Sequence, residues 1–160
     1  MLENQLQTYL LSDQKEYKKP ELDTAIGGLP RFRFASWPTP LEKGPLLPSG
    51  KRLWLKRDDV TGIGLGGNKL RKLEFLLGRA AYLDCDVVIT SGATQSNHCR
   101  LVAACGAMLG FEVHVVLASN QKDNLTDNDL DSTGNLLLME IFGATIHKVS
   151  GDIDEAKIPG

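Results

Sequence analysis

No apolar run in this chain approaches the roughly 20 residues that a membrane-spanning helix needs. Nor is there an excess of positive charge. Lys and Arg number 18 against 20 Asp and Glu, and a net charge of -2 gives no electrostatic case for nucleic acid or an anionic membrane. The opening Met1-Leu2-Glu3-Asn4 lacks the basic and then apolar pattern of a secretory signal. Cysteine is scarce: Cys85, Cys99 and Cys105 are odd in number and contain no Cys-x-x-Cys pair, which fits reduced, partly buried thiols in a cytoplasmic protein. His98, His114 and His147 show no ligand spacing with one another or with the cysteines, so no metal is expected. Without a secretory signal, the glycosylation-like Asn124-Leu125-Thr126 is read as accidental.

What is present is an ordinary globular composition, 42% hydrophobic and 24% charged, long enough for a real core. Residues 1–50 read as an irregular N-terminal strap. Residues 17–26 suggest a short helix, the prolines of Trp37-Pro38-Thr39-Pro40 hold an extended run, and Leu46-Leu47-Pro48-Ser49-Gly50 is a turn. From Lys51 the texture becomes alternating, and residues 51–160 read as an α/β unit. Strands are expected at 53–57, 86–90, 112–118 and 144–149. Helices are expected at 70–83, from about 98 to Gly110, and at 133–142, the last apolar nearly all round and so sandwiched. On the first helix Leu70, Leu73, Leu77 and Ala80 form the apolar stripe, with Arg71, Lys72 and Glu74 elsewhere. Residues 119–132 form a long polar, mostly acidic loop, and residues 152–160 start another helix. Such alternation implies an α/β fold, a parallel sheet flanked by helices, with ligands beyond the carboxyl ends of the strands.

Two stretches carry chemistry. The first is Gly66-Gly67-Asn68-Lys69-Leu70-Arg71-Lys72-Leu73-Glu74. Glycines allow unusual backbone angles and close ligand approach. A helix N-terminus disfavours an ammonium, and a lysine pushed toward its neutral amine attacks carbonyls. Alone, these nine residues fit a glycine turn with an exposed lysine better. The neighbouring segments reverse that order. The second stretch, Ser91-Gly92-Ala93-Thr94-Gln95-Ser96-Asn97-His98, gathers hydroxyls, amides and an imidazole at a helix N-terminus, where backbone N–H groups favour an anion. Thr94, Ser96 or Asn97 could equally cap the helix, but one residue suffices for that. The literal G-x-G-x-x-G of Gly62, Gly64 and Gly67 is a decoy. Asp58-Asp59-Val60-Thr61 separate it from the strand, and no acidic residue ends the next strand. A magnesium-binding phosphate loop fails as well, since Asn68 follows Gly67 and Leu70 stands where a hydroxyl is needed.

Together with Lys56-Arg57-Asp58-Asp59, these two stretches, in this order, resemble the D-cysteine desulfhydrase and 1-aminocyclopropane-1-carboxylate deaminase family, from about Leu29 onward. The resemblance implies the tryptophan synthase β-like, pyridoxal-phosphate-dependent fold, in truncated form. It implies pyridoxal 5'-phosphate held by Lys69, which then moves protons at the substrate carbon, with Asn68 supporting the lysine loop. It implies Asn97 on the cofactor's ring hydroxyl, and Ser96, Gln95, Asn97 and His98 around a small amino-acid substrate, with Ser96 in a catalytic role in the deaminase branch. The implied reaction is α,β-elimination from D-cysteine to pyruvate, hydrogen sulfide and ammonia. Deamination of 1-aminocyclopropane-1-carboxylate and a cysteate sulfo-lyase are the alternatives. Family members are longer, with the phosphate cup in their later half, and a homodimer is implied at full length. This chain is therefore expected to be an N-terminal fragment that by itself binds the cofactor poorly and turns over little or nothing. The reading from another class is an inactive fragment that serves as an interaction subunit.

Overall fold

The computed structural model describes residues 22–25, 28–119 and 133–150. The chain first forms two antiparallel pairs. Strand β1 (Leu22–Ala25) pairs with β2 (Leu29–Phe32), Leu22 opposite Phe32. Residues 22–25 are thus extended where the sequence suggested the end of a helix. Pairing with β2 outweighs the weak local preference. The remainder of that suggested helix lies outside the described residues. Strands β3 (Leu41–Leu46) and β4 (Arg52–Lys56) form a hairpin. Its turn is closed by Gly50 N–H donating to the Leu47 carbonyl at 2.9 Å, so the hairpin runs across the division placed at residue 50. The strand expected at 53–57 is therefore present, but it pairs with β3 and does not join the parallel sheet.

That sheet has the order β5-β6-β7, from Val87–Ala93, Glu112–Ser119 and Thr145–Ser150, with both neighbouring pairs parallel. Helix α1 (Leu70–Tyr82) precedes β5, α2 (Asn97–Leu109) joins β5 to β6, and α3 (Gly134–Ile141) precedes β7. Strands added in one direction through right-handed crossovers put α2 and α3 on one face, where they touch each other. Alternate residues Val113, Val115 and Leu117 of β6 turn into that face and are buried. Gly106 allows the approach of α2 to the sheet, since a Cβ there would lie 2.2 Å from the Val113 side chain. Gly110, at φ 81°, ends α2 in the left-handed conformation the sequence signalled. Helix α3 is one-sided rather than sandwiched. Leu136 and Met139 are buried, whereas Ile141 is 66% exposed.

Helix α1 holds the strap through a buried carboxylate. Glu74 is 0% exposed. It accepts the backbone N–H groups of Phe34 (3.2 Å) and Ala35 (3.1 Å), the Trp37 indole N–H (2.8 Å) and the Arg31 guanidinium. The sequence reading left Glu74 off the apolar stripe. Helical geometry puts position 74 on the face of Leu70, Leu73 and Leu77, four residues on from Leu70. Gly78 brings β2 against the same helix, because a Cβ there would stand 2.7 Å from the Pro30 carbonyl oxygen.

Candidate functional site

The glycine loop is anchored before it reaches the lysine. A short 3-10 turn (Asp58–Val60) leads into buried Thr61. Gly67 N–H donates to the Asp58 carbonyl (2.8 Å) and to the Thr61 hydroxyl (3.1 Å). Gly66 has φ 74°, and a Cβ on it would lie 1.9 Å from the Asp59 carbonyl oxygen, so no other residue fits there undistorted. A Cβ on Gly64 would meet the Ala104 side chain at 2.6 Å. These glycines therefore seat the loop on its own backbone and on α2, which is why the dinucleotide-like spacing misleads. Arg71 clamps the Asp58 carboxylate with two bonds of 2.7 Å and stacks 4.3 Å over the Trp37 ring. That guanidinium, helped by the Thr39 hydroxyl, holds Asp58 at about 2, below its ordinary 3.8.

Lys69 is the residue immediately before α1, already at helical angles (φ -67°, ψ -22°), and its carbonyl accepts from Leu73 N–H at 3.1 Å. It is half-buried, whereas Asn68 beside it is exposed. Across from it, β5 runs on to Ala93 and a two-residue turn brings in Ser96, which is the cap of α2. Its hydroxyl accepts Cys99 N–H at 3.2 Å. Gly92 makes the room, since a Cβ there would lie 2.8 Å from the Ser96 hydroxyl oxygen. The N–H groups of Asn97 and His98, in the first turn, have no carbonyl to reach within the helix and face outward.

Gln95 and Asn97 also serve α3. The Gln95 side-chain oxygen accepts Asn135 N–H at 2.8 Å and its NH2 donates to the Thr133 carbonyl at 3.2 Å. The Asn135 NH2 donates to the Gln95 carbonyl (2.7 Å) and to the Asn97 side-chain oxygen (3.1 Å). Gly134, at φ 55°, leaves space for the Gln95 amide. His98 is half-buried. Burial first, then the positive charges of Lys72 and Lys69, hold its pKa below the usual 6.5. Arg100 spans the two stretches directly, donating to the Gly66 carbonyl at 3.1 Å and to the Asn97 side-chain oxygen at 3.4 Å. Burial pushes its pKa down. Sequence reasoning missed Arg100 and Asn135. Arg100 left a visible signal, a charged residue between Cys99 and Leu101 at the start of the helix's apolar run.

Two other expectations concern cysteine and histidine. All three cysteines are free. Cys99 and Cys105 are buried, and burial together with the Glu74 charge pushes Cys105 up to about 12. His114 and His147, distant in sequence, are stacked by the parallel pairing of β6 and β7, their ring nitrogens 3.0 Å apart and Glu112 2.9 Å beyond. That is hydrogen-bonding distance. Among the described residues no His, Cys, Asp and Glu group has the form of a metal site, and no helix is long and apolar enough to cross a membrane.

A lysine ahead of one helix, in a loop joined through Arg100 to the first turn of a second helix that follows a parallel strand, defines a candidate carbonyl-capturing site in an α/β fold. Residues 33–158 match the family model described as pyridoxal-phosphate dependent enzyme, and the chain belongs to that family. It is similar to the mitochondrial bifunctional D-cysteine desulfhydrase/1-aminocyclopropane-1-carboxylate deaminase of Arabidopsis thaliana, at 42% identity over 86% of this chain and 35% of the relative. It is also similar to the D-cysteine desulfhydrase of Salmonella typhimurium, at 47% identity over 73% of this chain and 36% of the relative. The chain thus spans about a third of the length of these curated relatives. Among solved structures, an ACC deaminase homologue superposes with a TM-score of 0.68 at 36% identity, over 81% of this chain and 38% of that one.

The residues present fit part of the cofactor. Lys69 offers an amine for its aldehyde, and the first turn of α2 offers N–H groups for anionic oxygens. Among the described residues, two buried polar atoms, His98 Nδ1 and Arg100 Nη1, have no partner, as expected of a site that receives a polar group.

Proposed function

We propose that this chain carries the cofactor-lysine part of a pyridoxal-phosphate lyase that converts D-cysteine and water to pyruvate, hydrogen sulfide and ammonia. The observation that carries the reading is the juxtaposition of the Lys69 loop with the N-terminus of α2, through Arg100. The similarity to D-cysteine desulfhydrases supports the choice of substrate. When bound, the cofactor supplies an electron sink that makes the substrate α-proton removable. Lys69, as the free amine, takes that proton from the face it occupies. Ser96 and the first-turn N–H groups hold the substrate carboxylate and orient the α-hydrogen toward Lys69. Gln95 and Asn97 complete this rim. On the family resemblance, Asn97 would meet the cofactor's ring hydroxyl and Asn68 would support the lysine loop. The half-buried His98 joins Gln95 and Asn97 on the substrate side. Assembly of the complete enzyme as a cytoplasmic homodimer belongs to the same proposal and rests on the family resemblance.

The second reading is ring-opening deamination of 1-aminocyclopropane-1-carboxylate, favoured by the bifunctional Arabidopsis relative and by the ACC deaminase homologue. The test is the visible spectrum of the chain with added pyridoxal phosphate. The expected result is a band near ~420 nm that disappears in Lys69→Ala, as for a lysine-bound cofactor. A spectrum without that band, from protein that melts cooperatively, contradicts the reading and favours an interaction subunit. Hydrogen sulfide release from D-cysteine against ammonia release from the cyclopropane substrate, in protein of the relatives' length, separates the two substrates.

A further inference from the structure

Arg100 sits where a charge is expensive. It is 6% exposed, and its neighbours Cys99, Leu101, Val102 and Ala103 all belong to the core. Among the described residues no carboxylate pairs with it, and Nη1 has no acceptor. A buried cation held only by neutral oxygens costs more than an apolar side chain of equal length would. Its two contacts therefore indicate what it does. One is the carbonyl of Gly66, in the loop that delivers Lys69. The other is the side chain of Asn97, in the first turn of α2. The loop's other hydrogen bonds, from Gly66 N–H to the Ile63 carbonyl and from Gly67 N–H to the Asp58 carbonyl and the Thr61 hydroxyl, stay within the loop and the segment before it, and its further contact with α2 is packing, such as that of Gly64 on Ala104 and Leu101.

We propose that Arg100 is a positioning residue that fixes the Gly66–Gly67 turn against the first turn of α2 and so sets where the Lys69 amine stands relative to Ser96 and Asn97. Its importance for chemistry rests on the reading of Lys69 given above, but the mechanical claim does not. Gly66 packs closely on the Asp59 carbonyl, but that contact lies within its own segment and does not replace a bond to α2. Releasing its carbonyl frees the loop and exposes the half-buried lysine.

The test is competitive trace acylation of the full chain, read lysine by lysine by peptide mass spectrometry. Lys51, exposed at the distant hairpin turn, is the internal reference. In Arg100→Met the Lys69 rate relative to Lys51 rises about fivefold, the size one charge-assisted hydrogen bond lends to a local opening equilibrium, while the Lys56 to Lys51 ratio stays put. Arg100→Lys keeps the charge with a shorter reach and gives a smaller rise. Leu109→Ala, at the far end of α2, lowers the melting temperature without moving the Lys69 ratio. An unchanged ratio in folded Arg100→Met, or an equal rise in Leu109→Ala, overturns the proposal. If Arg100→Met does not fold, an unchanged ratio in Arg100→Lys overturns it. Failure of Lys69 to take up cofactor would sink the functional reading and leave this ratio as it is, so the two are separable.

Discussion

Asp58 and Glu74 show how much of this molecule depends on carboxylates that hold neighbouring segments together. Asp58 is held at about 2, below 3.8, chiefly by the bidentate Arg71 contact. A folded pKa below the unfolded one means stability that is fully present above pH 3.8 and lost as pH falls toward about 2. Melting temperature measured against pH is expected to fall across that window, and Asp58→Asn is expected to flatten the fall and lower the neutral-pH value. Glu74 holds two backbone N–H groups, an indole and a guanidinium in a fully buried position. Gln keeps one oxygen for the Phe34, Ala35 and Trp37 N–H groups but sets an NH2 against the Arg31 guanidinium, so Glu74→Gln is expected to cost roughly 2–4 kcal/mol in denaturant unfolding, against about 0.5 kcal/mol or less for exposed Glu140→Gln.

At the scale of elements, the loop before α1 is the most constrained piece. Gly66→Ala adds a methyl 1.9 Å from a backbone oxygen at φ 74°. It is expected to cost roughly 2–4 kcal/mol and to remove the ~420 nm band even where the protein still folds, as unfolding and absorption measurements will show. The helices α1 and α2 and the strands of the parallel sheet were legible in the sequence, because their apolar periods and end signals at Gly110 and Ser96 are local. The β3–β4 hairpin was not, because Leu53 and Leu55 carry the same alternation whether the strand pairs with a hairpin partner or enters a central sheet. Glu74 was misplaced because a charge on a helix is read as solvated until its donors, all from the strap around 31–37, are seen to converge on it. For the site, the two stretches were visible from their residue types. Their connection through Arg100 was not, since a hydrogen bond to a backbone carbonyl 34 residues away leaves no spacing to detect.

For the whole molecule, family membership rests on a match over residues 33–158, and the fold agrees with that of the ACC deaminase homologue. The central claim is that Lys69, among all the lysines of the chain, is the one that captures the cofactor. The direct measurement is borohydride reduction of the chain mixed with pyridoxal phosphate, followed by peptide mapping. The account predicts the reduced pyridoxyl mass on the Lys69 peptide, far above its level on exposed Lys43, Lys51 and Lys72, and lost from that peptide after denaturation. Label spread over the exposed lysines, with Lys69 no richer than the rest, would contradict it.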